Sequence, residues 1–476
     1  MTTVLVSVPH GFSAGNMLRT GLIQQILETK PDVRIVLVSP LIDDPSFVRE
    51  FTHPRVRFEP LPPHRPSGLE ARLMALVQAG YIGSGITESV RIRRQEAAMN
   101  GTIRWIGAKR ALAALFAPSI VRKDSRYRLI DRLISHDWAE RLFEREKPRL
   151  LVTSSAGLIF SEIPLLRTAA RRHVPAAAVD SSWDNFTNKL LPARRVDRLI
   201  VWNDLMKQQA IDLHGYRPEH VQVTGPIHWD GYFRGGSGST RESFFRRIGA
   251  DPDRKLITLT TTARELYPHY DHVLHVMLAA MQGGRWPYPC QILVRVHPRD
   301  VLDRYTPFIG TPHVIVEKPF RPTVKSGDGL AVDITPETQQ HLADTMRYSD
   351  VVVQVASTIA IEAAIFDTPV VNVSFDGEAP SEWPRSARRY LRFDHFANVV
   401  RQGGVKLADS PEQLVAAVAE YLRDPSIDAA GRRRVVSEQC RFTDGRSAAR
   451  VASAVIDMLD GADITPSCAE SLASSR

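Results

Sequence analysis

Apolar residues in this chain fall in short continuous runs rather than in strict alternation. Val4–Val8 is the first run and ends in the polar, glycine-containing stretch PHGFSAGN. Apolar residues at helical spacing follow from Met17 to Leu27, and Val33–Val38 is the next run. Strand, glycine loop, helix, strand is the opening of a βαβ unit. Continuous apolar strands belong to parallel sheets covered on both faces. The alternation resumes with strands predicted at Leu150–Thr153, Ala176–Val179, Arg198–Trp202 and His220–Val223, and with helices at Ile163–Arg172 and Asp204–Leu213. A second series predicts strands at Leu256–Thr260, Gln291–Val296, Val314–Glu317, Val351–Val355 and Pro369–Val373. Its helices are predicted at His272–Met281, Glu337–Tyr348, Pro411–Leu422 and Arg446–Leu459.

Two segments break the pattern. Residues 67–146 are helical in character and rich in arginine, and read as an insertion. The stretch TGPIHWDGYFRGGSGST, from Thr224, reads as an interdomain linker. The expectation is an α/β protein of two Rossmann-like domains facing a cleft. The first spans 1–228 with the helical insertion at about 67–146, the second spans 229–460, and 461–476 is a disordered tail. In such folds ligands bind beyond the carboxyl ends of the strands.

Composition narrows the picture slightly. The 476 residues carry 61 Lys and Arg against 53 Asp and Glu, a formal net charge of +8, which suits an anionic ligand or surface. Cys290, Cys440 and Cys468 show neither metal nor disulfide spacing. The N-terminus lacks a signal-peptide pattern, and no apolar run reaches the ~18–20 residues of a membrane span. A cytoplasmic protein is expected, with room for peripheral contact at the inner membrane face. The basic insertion lacks a zinc-finger or RRM signature, so no nucleic-acid partner is expected. Within it, Ile103–Ile120 sets Trp105, Leu112, Leu115 and Phe116 beside Arg104, Lys109 and Arg110. That segment reads either as an interfacial helix for an anionic membrane or as an ordinary amphipathic packing helix.

Three strand ends in the second half collect anion-binding chemistry. Leu256–Thr260 is followed by Thr262 and Arg264. Gln291–Val296 contains Arg295 and is followed by His297. Val351–Val355 is followed by Ser357 and Thr358 at a helix start, with Glu362 one turn on, within reach of a ribose diol. Each alone reads as capping or turn chemistry; together they describe a site for a nucleotide diphosphate. In the first half, His10 ends the first strand and is either a general base or a loop cap. Asp184 in DSSWDNFTNK is the rival base, Trp183 beside it a candidate sugar-stacking ring, and Gly11 and Gly15 would let backbone approach a sugar or diphosphate.

The run SDVVVQVASTIAIEAAIFDTPVVNV resembles the nucleotide-binding half of GT-B glycosyltransferases. TTTAREL, RVHPRD and RFTDGRSAARVASAVI resemble the CDP-glycerol glycerophosphotransferase and capsule-polysaccharide transferase branch of that superfamily. The resemblance covers roughly Lys255 to Leu459. It implies a GT-B glycosyltransferase that moves a sugar from a nucleotide-activated donor to a surface polysaccharide or glycan- or lipid-linked acceptor; no metal or other cofactor is expected, since Arg264, Arg295 and the Ser357 helix start can stabilise the leaving diphosphate and no Asp-x-Asp follows a strand. Where the glycerophosphotransferases carry an acidic–aromatic pair, this chain has Val355-Ala356, which argues against a glycerol-phosphate substrate. A UDP-sugar 2-epimerase and a non-catalytic nucleotide-sugar-binding subunit are the alternatives.

Overall fold

The structure, a computed structural model, describes residues 1–99, 130–131, 133–189, 191–235, 239–322 and 332–461. The segment Ile103–Ile120 and, from residue 462, the expected tail lie outside the described residues. The chain divides into two compact units. The first holds residues 1–230, a returning segment 322–334 and the chain from Arg441 onward; the second holds 231–321 and 335–440.

The first unit is built on seven strands: β1 (Thr2–Ser7), β2 (Val33–Val38), β3 (Val56–Glu59), β4 (Leu150–Thr153), β5 (Ala176–Val179), β6 (Arg198–Val201) and β7 (Val221–Val223). They lie side by side in the order β3-β2-β1-β4-β5-β6-β7, every pair parallel. The second unit carries β8 (Lys255–Thr260), β9 (Cys290–Arg295) and β10 (Val314–Glu317). After the short strands β11 (Arg321–Pro322) and β12 (Val332–Asp333) come β13 (Val351–Gln354), β14 (Val370–Val373) and β15 (Lys406–Ala408). Its six-stranded parallel sheet has the order β10-β9-β8-β13-β14-β15. Each sheet therefore starts in its middle and is wound outward both ways. The apolar runs are dry because helices cover both faces. On one face of the second sheet, Ile257, Leu259, Ile292, Val294, Val351 and Val353 pack in one core with helices Tyr270–Gln282 and Pro411–Arg423. On the other, Leu256 and Leu293 meet Phe244 and Phe245.

Several local expectations change. The predicted helix Met17–Leu27 is divided. A wide helical turn over Ala14–Leu18 ends at Gly21, whose φ of 83° only glycine adopts cheaply, and a new helix runs over Leu22–Thr29. The final helix, Ser447–Asp460, lies within the bounds expected for the second domain, but, as a last helix able to cross back, it packs in the first unit. Val451, Ala454, Val455 and Met458 join the core around Val4, Val6, Ile26 and Val152. The start of the expected linker is structured. Trp229 is buried against Trp202, with ring centroids 5.1 Å apart, and Asp230 caps the final helix. Its two carboxylate oxygens accept from the amides of Ser447 and Ala448, both at 2.8 Å, replacing the local cap that this helix lacks.

That cap reaches across more than two hundred residues of chain. Asp230→Ala should lower the stability of the protein by about 1–3 kcal/mol, while Asp230→Asn, which keeps one acceptor oxygen, should lose less. Thermal denaturation of the full chain reads both; an unshifted melting temperature in Asp230→Ala would show that the helix holds by its apolar face alone.

Candidate functional site

Near the carboxyl ends of the strands of the second unit one polar row crosses the sheet. Glu317 of β10 stands opposite Arg295 of β9, Arg295 opposite Thr260 of β8, and Gln354 of β13 opposite Asn372 of β14. Val353 pairs with Leu259, so Gln354 follows on beside Thr260. Paired residues of a parallel sheet share a face, so all five lie on the face opposite the large apolar core. Arg295 is 4% exposed. One guanidinium nitrogen donates to Glu317 at 2.8 Å, and the group lies over the Phe320 ring at 5.4 Å. Glu317 also meets His341 Nε2 at 2.8 Å, and these partners hold its carboxyl below the ordinary range despite burial. The other terminal nitrogen of Arg295 and both side-chain polar atoms of Gln354 are buried and make no hydrogen bond. Buried polar groups are normally paired; these three atoms belong to β9 and β13, the two strands that flank β8.

The loops above the row carry the remaining predicted residues. Thr262 is half-buried and Arg264 exposed just beyond β8. Thr261 Oγ1 accepts from the amide of His297 at 2.9 Å, tying the β8 and β9 loops together. Burial pushes the His297 imidazole down to about 4, and its Nδ1 accepts from the Arg299 amide. Between β13 and the helix Ile359–Ile365 the chain turns at Ala356, a non-glycine residue at φ 31°, whose amide donates to Asn372 Oδ1 at 2.7 Å. Ser357 and Thr358 are half-buried there; Ser357 Oγ accepts from the Ile359 amide. Glu362 is buried, and its carboxylate accepts from Tyr232 Oη at 2.9 Å and Thr358 Oγ1 at 3.4 Å. Burial raises Glu362 to about 7, against partial stabilisation by Tyr232 and Arg295. Val355 lies in the apolar core, so the position held by the acidic residue of the glycerophosphotransferase pair is here a packing residue.

In the first unit, His10 is a cap: Nδ1 accepts from the Ser13 amide at 3.1 Å, with Ser13 Oγ 3.2 Å away. In a neutral ring that bond places the proton on Nε2. Gly11 and Gly15 serve the protein's own chain rather than a sugar. A Cβ on Gly11 would stand 2.2 Å from the Val332 carbonyl oxygen, and one on Gly15 2.8 Å from the Ile334 side chain. Arg19 locks the same returning segment, donating to both Asp333 oxygens at 2.6 and 2.9 Å and to the Ile334 carbonyl at 2.8 Å. Trp183 is 6% exposed, which leaves too little ring face for stacking. Asp184 is partly exposed and pairs with Lys189 at 3.2 Å, with Asn188 Nδ2 at 3.4 Å. The helical insertion holds this loop. Tyr81 Oη and Thr87 Oγ1 donate to the carbonyls of Phe186 and Thr187, Gln78 makes two bonds to the Leu191 backbone, and Arg93 donates to Asn188.

Sequence reasoning missed Gln354, Tyr232 and Glu162. Gln354 is the one polar residue in VVVQV, a signal that was available; Tyr232 was hidden in the supposed linker. Glu162 is fully buried below the β4 loop, accepting from Ser154 and Ser155, and burial raises it to about 7. Asp180 is likewise raised to about 6 by burial, and His228, packed between Trp202 and Trp229, is lowered to about 3.

Two doubly wound parallel sheets, each with polar chemistry at its strand ends, define the two-domain α/β architecture of the GT-B class. The model of the family CDP-Glycerol:Poly(glycerophosphate) glycerophosphotransferase matches residues 163–457, more than half of the chain, and the protein belongs to that family. A lipid-A-disaccharide synthase of Trichlorobacter lovleyi is 26% identical over 140 residues, which is 28% of this chain and 36% of the relative, so the chain spans about a third of that relative's length. The fold is shared with UDP-GlcNAc 2-epimerase of Methanocaldococcus jannaschii (TM-score 0.53, 12% identity, 96% of this chain and 99% of that one). It is also shared with a histidine-to-asparagine variant of the wall teichoic acid polymerase TagF soaked with CDPG (TM-score 0.52, 10% identity, 97% and 89%). No helix among the described residues is long and apolar enough to cross a membrane.

The raised Glu362 has a consequence for stability. Its proton is bound more tightly folded than unfolded, so it stabilises the fold fully below about 4.5, and this contribution is lost as pH rises through about 7. Glu362→Gln keeps an acceptor for Tyr232 and removes the titration. Relative to the variant, the wild type should lose about 1–3 kcal/mol between pH 5 and pH 8, read from urea midpoints. Parallel curves would mean that Glu362 stays ionised in the folded chain.

Proposed function

We propose that this protein is a glycosyltransferase that moves a sugar from a nucleoside-diphosphate donor to a surface-polysaccharide or glycolipid acceptor. The observation that carries the reading is the polar row of the second sheet, with its unpaired Arg295 and Gln354 atoms, in a chain of a family that transfers groups from nucleotide-activated donors. Arg295 and Arg264 bring cationic charge to the leaving diphosphate, the role a metal fills in other transferases, and Thr262, Ser357 and Thr358 bring hydroxyls. Val355 in the core supports a sugar donor over CDP-glycerol. The acceptor oxygen attacks the anomeric carbon, the bond from that carbon to the diphosphate breaks with its electron pair on the leaving group, and a base takes the acceptor proton. Asp184 is the better base: His10 has its Nδ1 lone pair engaged by the Ser13 amide and presents an N–H instead. A lipid-linked acceptor would bring the enzyme to the inner membrane face.

A thermal-shift panel of UDP-, GDP-, CDP- and dTDP-sugars with CDP-glycerol, followed by product analysis, tests the assignment. A true donor at 100 times its dissociation constant adds about 2.7 kcal/mol of apparent stability. Stabilisation by CDP-glycerol alone would make the donor a glycerol phosphate; an isomerised nucleotide sugar formed without acceptor would make the protein an epimerase.

Two substitutions sharpen the roles. Gln354→Leu removes two unpaired buried polar atoms, so it should leave stability equal or higher while weakening donor binding at least about tenfold. Donor affinity equal to wild type would take the row out of the site. Asp184→Asn should lower turnover about 10²–10⁴-fold at near-constant donor affinity, with His10→Asn costing far less. The reverse ranking would return the base to His10.

A further inference from the structure

Away from the nucleotide chemistry, the first unit brings two histidines onto one carboxylate. His64 lies in the loop after β3, Glu70 in the first turn of the helix Gly68–Ser84, and His136 immediately before the helix Asp137–Glu146. His64 Nε2 is 3.2 Å from each carboxylate oxygen of Glu70, and His136 Nε2 is 3.8 Å from Oε1. The imidazoles stand nearly perpendicular, centroids 4.8 Å apart, and one ligand atom from each of the three residues lies within 4.8 Å of the others. All three side chains are largely buried, and His136 Nε2 makes no hydrogen bond. Behind them, Arg167 donates to Glu70 Oε1 and lies 3.8 Å from Asp131, which is paired in turn with Arg194.

We propose that His64, Glu70 and His136 bind one divalent transition-metal ion, Zn²⁺ being the best fit, as a staple across the two ends of the helical insertion. Two imidazole nitrogens and a carboxylate oxygen are a zinc donor set. Bond lengths of about 2.0–2.2 Å put tetrahedral ligand atoms about 3.3 Å apart, close to the two separations seen here. A hydrogen-bonded pair explains His64 with Glu70 but leaves His136 Nε2 buried and unpaired, aimed at the same carboxylate. The Arg167 bond to Oε1 orients the group, as outer partners of ligating carboxylates do, and a carboxylate oxygen carries two lone pairs, so Oε1 can still face the ion between the two imidazoles. The guanidinium's charge sets the affinity below that of thiolate sites. Because Glu70 and His136 bracket the segment that grips the Asp184 loop, closing that loop of chain would stabilise the insertion.

The test is metal binding by the full-length protein, stripped with a chelator, dialysed against zinc and analysed for metal content. One ion per chain is expected, with a raised melting temperature, and His64→Ala with His136→Ala should lose both. A wild type that returns metal-free, or a double variant that keeps its full ion, overturns the site. Should the double variant not fold, cobalt-loaded wild type decides without it. Absorption bands of tetrahedral, histidine-ligated cobalt support the site, and the spectrum of hydrated cobalt overturns it.

Discussion

A parallel sheet must be dry on both faces, and the arrangement of this protein follows from that requirement. Parallel strands need crossovers, crossovers put helices on both faces, and the covered strands become apolar from end to end. Most of the polar side chains then fall near where a strand leaves the sheet. In the second unit five strands end together, so Glu317, Arg295, Thr260, Gln354 and Asn372 are gathered by register alone. No local motif makes this row; the alignment of strand ends does, and the loops above it inherit a polar floor with an engaged arginine at its centre.

The first unit solves a different problem with the same architecture. Its strand ends are occupied in large part by its own chain. The loop after β1 is tightened by His10 and Ser13, and its glycines let the returning segment Val332–Ile334 lie against the backbone, where Arg19 holds it. The loop after β4 is pinned from below by Glu162, and the loop after β5 is gripped by the helical insertion. At the β5 end the loop that carries partly exposed Asp184 is held from distant sequence, while the carboxylate itself meets Ser182, Asn188 and Lys189 of its own loop.

Much of this was legible in the residues. The long apolar runs gave the central strands almost to the residue, because burial on two faces leaves no other composition. Two edge strands, β7 and β10, were legible as well; the other two escaped, since β3 is half-buried and mixed and β15 is three residues long. Chemistry at strand ends was legible as residue type, but its employment was not. Gly11 and Gly15 announced a close approach without saying what approaches. Trp183 looked like a stacking ring because local sequence does not reveal burial. Trp229 and Asp230 looked like linker because glycine, proline and aromatic residues are common in loops, whereas their partners, Trp202 and the start of the last helix, are set by tertiary packing.

The contrast between the two buried glutamates shows how far residue type alone carries. Glu162 and Glu362 each sit just past a strand, at or near a helix start, with hydroxyl residues before them, and burial raises both to about 7. Glu162 accepts from one amide and two serine hydroxyls of its own loop, and Ser7 at the end of β1 also favours its charged form. Glu362 accepts from Thr358 nearby but also from Tyr232, 130 residues earlier, and its charge is felt by Arg295 on a different strand. The first glutamate ties its own loop to the end of β1. The second joins three separate parts of the polar floor, so a change of charge there is transmitted to the arginine, and a ligand anion that engages Arg295 shifts the proton on Glu362 in return.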